Sequence, residues 1–196
     1  MIAFLDTETS GLPDINKRAS DPSQPHIVQL ACILTTDLGQ VVDSYSFVVK
    51  PEGWTIPKEV SDIHGITTEV AADIGVPEKQ VLETFLESLT QAQLLVAHQV
   101  TFDKFICRIG LRRHGLFDDD KDAWWKAFPT FCTMRKMTDV CRLPNPTGRS
   151  GFKWPRLTEA YMHAFGTPLA GAHDALADVK ACKEIYFWML QRGGGK

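Results

Sequence analysis

The chain has 196 residues, 44% hydrophobic and 23% charged, with a formal net charge of -3 and five cysteines. This composition fits a soluble globular domain with a full core and excludes a disordered or fibrous chain. The cysteines are odd in number and never form a Cys-x-x-Cys pair, which argues against a disulfide framework or zinc site, and no stretch reads as a membrane span or signal peptide, so a reducing cytoplasm with no membrane contact is expected.

Ile2 to Leu5 is an apolar run of the kind that suits a buried central strand, and Gly11 with Pro13 ends it. Leu12 to Pro25 has no apolar period and reads as an exposed loop. His26 to Thr36 and Val41 to Lys50 are β-branched and aromatic runs joined by a connector of hairpin length, which predicts an antiparallel meander with the first strand. Pro51 to Thr68 reads as irregular at first, with a turn at Gly65 and a helix cap at Thr67 or Thr68. Apolar residues at Val81, Leu82, Phe85, Leu86 and Leu89 predict a helix over Pro77 to Leu89, and Leu94 to Ala97 a short buried strand ending at His98.

The next helix is expected from about Phe102 to His114, closed by Gly115. Residues 118 to 128 leave helix and strand open. Thr133 to Val140 reads as a short helix, Leu143 to Trp154 as a flexible loop, Pro155 to Phe165 as a helix, and Asp174 to Leu190 as the last helix. One domain is expected over residues 1 to 192, with 193 to 196 a flexible end. The order of elements is that of an α/β layer architecture with a mixed sheet.

Charge is segregated along the chain. Residues 1 to 103 hold fifteen acidic and five basic side chains, whereas residues 104 to 156 hold five acidic and twelve basic, Arg108, Arg112, Arg113, Arg135 and Arg149 among them. Singly these are solvated charges; as a group they lean toward a polyanion.

Alternation along the first strand puts Asp6 and Glu8 on one side and turns Thr7 away. Two carboxylates so close need a cation or protons to offset their repulsion, and a divalent ion with oxygen ligands is the natural partner. Asp and Glu after a strand are also common turn formers, so other carboxylates must decide. Asp103 begins the helix after the fourth strand, and Asp178 lies in the first turns of the last helix. On one continuous helix His173 and Asp178 would diverge by about 140°, but Gly171 and the candidate cap Asp174 place His173 before the helix, free to lean over the same site.

Asp6-Thr7-Glu8-Thr9, His98-Gln99-Val100-Thr101-Phe102-Asp103 and His173-Asp174-Ala175-Leu176-Ala177-Asp178 resemble, in order, the three motifs of the DEDDh branch of the DnaQ-like 3′ to 5′ exonucleases. Ile63-His64-Gly65-Ile66-Thr67 resembles a segment that family places near the terminal nucleotide. The resemblance implies a ribonuclease H-like fold, with a mixed five-stranded sheet whose first three strands are antiparallel, flanked by helices. It implies that Asp6, Glu8, Asp103 and Asp178 hold two divalent ions, Mg2+ or Mn2+, and that His173 is the general base for the attacking water. Thr7, Thr9, Leu12, His64 and Phe102 are then expected to grip the last nucleotide, while His98 orients the second motif. Gln99 departs from the family pattern, which usually has Asn there.

The implied reaction is hydrolysis of DNA from the 3′ end to nucleoside 5′-monophosphates, with single-stranded DNA as partner and a polymerase or other DNA-processing protein as a further one. An RNA exonuclease of the RNase T or oligoribonuclease kind is the nearest rival, because the carboxylates do not report the sugar. A non-catalytic nucleic-acid-binding module is a rival of another class, and the intact carboxylate set counts against it.

Overall fold

The structure is a computed structural model that describes residues 1–146, 148 and 150–193. Thr147, Arg149 and residues 194–196 of the expected flexible end lie outside the described residues. The N-terminal run forms β1 (Ile2–Thr9), which carries Asp6 and Glu8 within the strand and ends before Gly11, as expected. β2 (Ile27–Thr35) is buried along its whole length, and β3 (Val41–Lys50) is largely exposed. Both pairings, β1 with β2 and β2 with β3, are antiparallel, as expected of the meander.

A short helix, α1 (Lys58–His64), occupies part of the stretch read as irregular, and α2 (Thr68–Ile74) follows where a helix cap was expected. Gly65 ends α1 at φ 76°, a left-handed conformation that glycine adopts without steric cost. Thr67 caps α2 by accepting a hydrogen bond from the Val70 N–H. The two-residue β4 (Val76–Pro77) leads into α3 (Glu78–Thr90), β5 (Leu94–Ala97) and α4 (Val100–Arg113), close to the expected bounds.

The segment left open is helical: α5 (Asp119–Ala127) is capped by Asp118 and sends Trp125 into the core, edge-on to Phe85 and Phe117. β6 (Thr130–Cys132), α6 (Thr133–Cys141), α7 (Leu157–Phe165) and α8 (Ala175–Gln191) complete the chain. The loop before α7 holds an antiparallel bridge between Pro144 and Phe152.

The sheet order is β4-β3-β2-β1-β5-β6, six strands where five were expected. Four of these were read from the residues themselves; β4 and β6, two and three residues long, are too short to leave a period in the sequence. Alternation along β1 divides the core between two layers of helices. Ala3 and Leu5 join Phe85 of α3 and Ile106 of α4, whereas Ile2 and Phe4 pack on the other face against Val179 and Tyr186 of α8.

The sheet also creates the site. β1 pairs with parallel β5 only from Ile2 to Phe4, while its pairing with β2 continues to Thr9 through an irregularity at Glu8. Beyond Phe4 that side of β1 has no strand beside it, which opens a crevice at the carboxyl ends of two parallel strands. Asp6 and Glu8 are the residues that reach it.

Two buried acids absorb much of the basic middle segment. Asp122 is ringed by Arg108, Arg112 and Lys126. Glu78, at the start of α3, accepts hydrogen bonds from Arg113 and the Ile27 N–H and faces His114 and His26. Burial pushes the Glu78 carboxyl up, but the hydrogen bonds from His114 and His26 and the Arg113 charge overcome it and hold the group well below the usual carboxylate range. Arg113 also donates to the carbonyls of Gln24 and Pro25. The Leu12 to Pro25 loop is thus an ordered structure, built on the buried Gln24 amide, which bonds to the backbone of Asp14 and Arg18.

Candidate active site

Each predicted acid arrives on its own element. Asp6 and Glu8 come from β1, Asp103 from the first turn of α4, and Asp178 from the first turn of α8. Asp103 is buried and accepts a hydrogen bond of 2.9 Å from the Thr7 hydroxyl. Thr7 does point away from Asp6 along the strand, yet it does so to hold the neighbouring carboxylate. Asp178 accepts a 3.2 Å hydrogen bond from the His173 N–H on Oδ2, and its Oδ1 is buried with no partner.

The helix that carries Asp178 begins as expected, with Asp174 capping the Ala177 N–H. His173 precedes it with φ 72°, a left-handed conformation rare for a residue with a side chain. Such strain costs on the order of 1–3 kcal/mol and persists only where surroundings enforce it. Here it turns the imidazole back over the crevice, where side-chain atoms of Glu8, His173 and Asp178 come within 4.8 Å of one another.

The electrostatics follow from that crowding. Burial, then the charges of Asp103, Asp178, Glu8 and Asp174, push the Asp6 carboxyl well above its ordinary value. Glu8 is pushed up to about 8 by burial and by Asp178, Asp103 and Asp174. Burial raises Asp103 and Asp178 as well, opposed by the hydrogen bonds from Thr7 and His173. A cluster of acids that repel one another, with an orphaned buried carboxylate oxygen, is a set of hard oxygen donors that a divalent cation satisfies.

Residues 3–186 match the family described as exonuclease. The chain belongs to the exonuclease family. The likeness noted in the three motifs is therefore one of descent, on an RNase H-like fold. Structures similar to this exonuclease include E. coli exonuclease I in complex with a dA16 oligonucleotide, 23% identical with a TM-score of 0.73, the match covering 97% of this chain and 41% of that one. Exonuclease I from Methylocaldum szegediense is 26% identical with a TM-score of 0.72, covering 97% and 40%. A zinc-bound E. coli exonuclease I–ssDNA complex is 22% identical with a TM-score of 0.72, again covering 97% and 40%. The chain thus spans about two fifths of the length of these structures. No curated protein matches it.

The residues expected around the last nucleotide divide into two groups. Thr7 and Thr9 donate their hydroxyl protons inside the protein, Thr7 to Asp103 and Thr9 to the Gly11 carbonyl. Leu12 is 86% exposed on the ordered loop, as an apolar wedge requires. His64 ends α1 with Nδ1 accepting from the Ile66 N–H and Nε2 buried without a partner; burial and then the His173 charge pull its pKa down. Phe102 is half-buried against the core. His98 is a structural histidine as expected: buried, held by Thr133 Oγ1 at 3.0 Å and the Pro155 carbonyl at 2.9 Å, with its pKa pushed down to about 4 by burial. Gln99 makes no side-chain cap on α4 and stays exposed.

The exonuclease motifs do not include one residue that organises the site. Gln29 on β2 sits opposite Glu8 and is buried. Its Oε1 accepts from the Ala175 N–H and its Nε2 donates to Ser46 Oγ and Asp174 Oδ2, so it fixes the start of α8 against the sheet. A lone amide in a wholly buried strand is the sequence signal that marks it, because such a group must find partners.

Proposed function

We propose that this exonuclease hydrolyses single-stranded DNA from its 3′ end and releases nucleoside 5′-monophosphates. The observation that carries the reading is the convergence of Asp6, Glu8, Asp103 and Asp178 with His173 at the open end of β1. The similar exonuclease I structures hold single-stranded oligonucleotides such as dA16, which supports DNA as the substrate over RNA.

Asp6, Glu8, Asp103 and Asp178 would hold two divalent ions, Mg2+ or Mn2+. Bound there, such ions would lower the pKa of the attacking water and offset charge on the phosphate and the leaving oxygen. The protein supplies the rest. His173 takes the proton as the water oxygen attacks phosphorus and the bond to the 3′ oxygen breaks, leaving a 5′-phosphate on the released nucleotide. Thr7 orients Asp103, Gln29 and Asp174 set the start of α8, and the strained His173 backbone holds the imidazole over the crevice. His64 Nε2 is an unpaired donor for substrate oxygen, and Leu12 and Phe102 are apolar surfaces for the terminal base.

A 5′-labelled single strand incubated with Mg2+ should shorten stepwise and release mononucleotides, and chelation should stop it. A matched RNA degraded faster than DNA would reassign the sugar. No release with either ion on either strand would refute the reading.

A further inference from the structure

Beside the carboxylate site lies a cleft of about 600 Å3, and none of the four metal-binding acids lines it. Phe102 and Phe105 of α4, Pro13 and Ile15 of the ordered loop, and Trp154 line it. Ile15 is 81% exposed and Trp154 59%. Both are large apolar side chains left in water on fixed backbone, which folding alone does not reward.

The backbone on either side of Trp154 is pinned. The Lys153 N–H donates to the Leu143 carbonyl and its ammonium pairs with Glu159, while the Pro155 carbonyl is bonded to His98. The loop holding Ile15 is fixed by Gln24 and Arg113. Lys104, Arg108, Lys126 and Arg135 also line the cleft and no acid does among the described residues, while Asp122, outside the lining, pairs with Arg108 and Lys126. Arg135 is exposed with no ion pair or hydrogen-bond partner among the described residues.

We infer that this cleft binds the unpaired bases that precede the 3′-terminal nucleotide, with Trp154 stacking on a base and Arg135 meeting the phosphate chain. The inference rests on the exonuclease reading of the adjacent site, and continuity supports it. Phe102 lines the cleft and neighbours Asp103, so a strand whose end reaches the carboxylates passes over the cleft mouth. Aromatic walls serve bases that are splayed out of a helix, and a rim with excess positive charge suits the connecting phosphates. A paired base cannot enter, so the cleft selects single strands.

The test compares two substrates in wild type, Trp154→Ala, Trp154→Phe and Arg135→Ala. One is a short oligo(dT), and the other is the p-nitrophenyl ester of thymidine 5′-monophosphate, which has no preceding nucleotide. In Trp154→Ala the ratio of kcat/KM for the oligonucleotide to that for the ester should fall by about fivefold to 150-fold through KM, the range expected for one lost base stack. Trp154→Phe should restore most of it, and Arg135→Ala should lower the salt slope of oligonucleotide binding by about one. An unchanged ratio in Trp154→Ala overturns the cleft assignment and leaves the exonuclease reading standing. Turnover of blunt duplex DNA equal to that of the single strand also overturns the assignment. A wild type that cleaves neither substrate overturns the exonuclease reading, and the cleft assignment with it.

Discussion

Glu8→Gln should make the chelated protein more stable and the enzyme inactive. In the metal-free chain the Glu8 carboxyl rises from an ordinary value near 4.5 to about 8, because it is buried among Asp178, Asp103 and Asp174. A displacement of that size corresponds to about 5 kcal/mol in a dry site. Glu8 is only half-buried, so solvent screening reduces the figure to about 2 kcal/mol. The folded value lies above the unfolded one, so the folded state holds the proton more tightly. The contribution of Glu8 to stability is greatest below about pH 4.5, falls as pH rises toward 8, and stays low above it. Glutamine has no charge to lose. Thermal melts in a chelator should therefore show Glu8→Gln about 4–8 °C above wild type at alkaline pH, from roughly 2–4 °C per kcal/mol for a chain of this size. The gap should close as the pH approaches 4.5. Added Mg2+ should raise the wild type more than the variant. If Glu8→Gln melts at or below wild type in chelator at alkaline pH, the acids do not repel one another as described.

The remaining predictions concern the groups around that cluster. His173→Ala should lower kcat by about 10^2 to 10^4 while calorimetric Mn2+ binding to Asp6, Glu8, Asp103 and Asp178 persists; retained turnover would remove the histidine from its role as base. Because His173 has φ 72°, His173→Gly should be more stable than His173→Ala by about 1 kcal/mol in denaturant titrations. Gln29→Leu strands the buried Ala175 N–H; it should cost about 1–3 kcal/mol and lower kcat more than KM, because it acts through the position of Asp178. Glu78→Gln leaves Arg113 without its buried acid and should cost about 3 kcal/mol. The folded Glu78 carboxyl is held below its ordinary value, so its contribution is present above the unfolded pKa and lost as pH falls below the usual carboxylate range. Acid melts of the variant should lack that decline.

The elements that were legible are those whose signal is local. A short apolar run ending in Asp-x-Glu, a Gly-then-Asp start to the last helix and a helical stripe at Val81 to Leu89 each describe their own surroundings. Expectation failed where length or pairing across the sheet decided. β4 and β6 are strands because Val49 and Leu95 offer them an edge, not through any period of their own. The basic middle segment looked like a polyanion surface because its charges are near one another in sequence. Four of the twelve, Arg108, Arg112, Arg113 and Lys126, turn to Asp122 and Glu78, and the second of these acids lies outside the segment altogether.

The same distinction separates the ligands of the site from what supports them. A metal-binding acid must be an acid whatever surrounds it, so the role proposed for Asp6, Glu8, Asp103 and Asp178 follows from their chemistry. A supporting group need only supply a hydrogen bond at one point in space, and many residue types and positions can do so. Thr7 read as a strand residue facing away, and it became the donor to Asp103 only because α4 crosses β1 at that height. Gln29 read as one polar residue in a buried strand, and it became the anchor of α8 only because β2 brings it opposite Glu8. The Leu12 to Pro25 loop carried no apolar pattern, and the Gln24 amide that orders it is visible only once Asp14 and Arg18 fold around it. The proposed ligand set could therefore be named from residue types and order, whereas the preorganisation that would make it catalytic had to be read from hydrogen bonds between elements far apart in the chain.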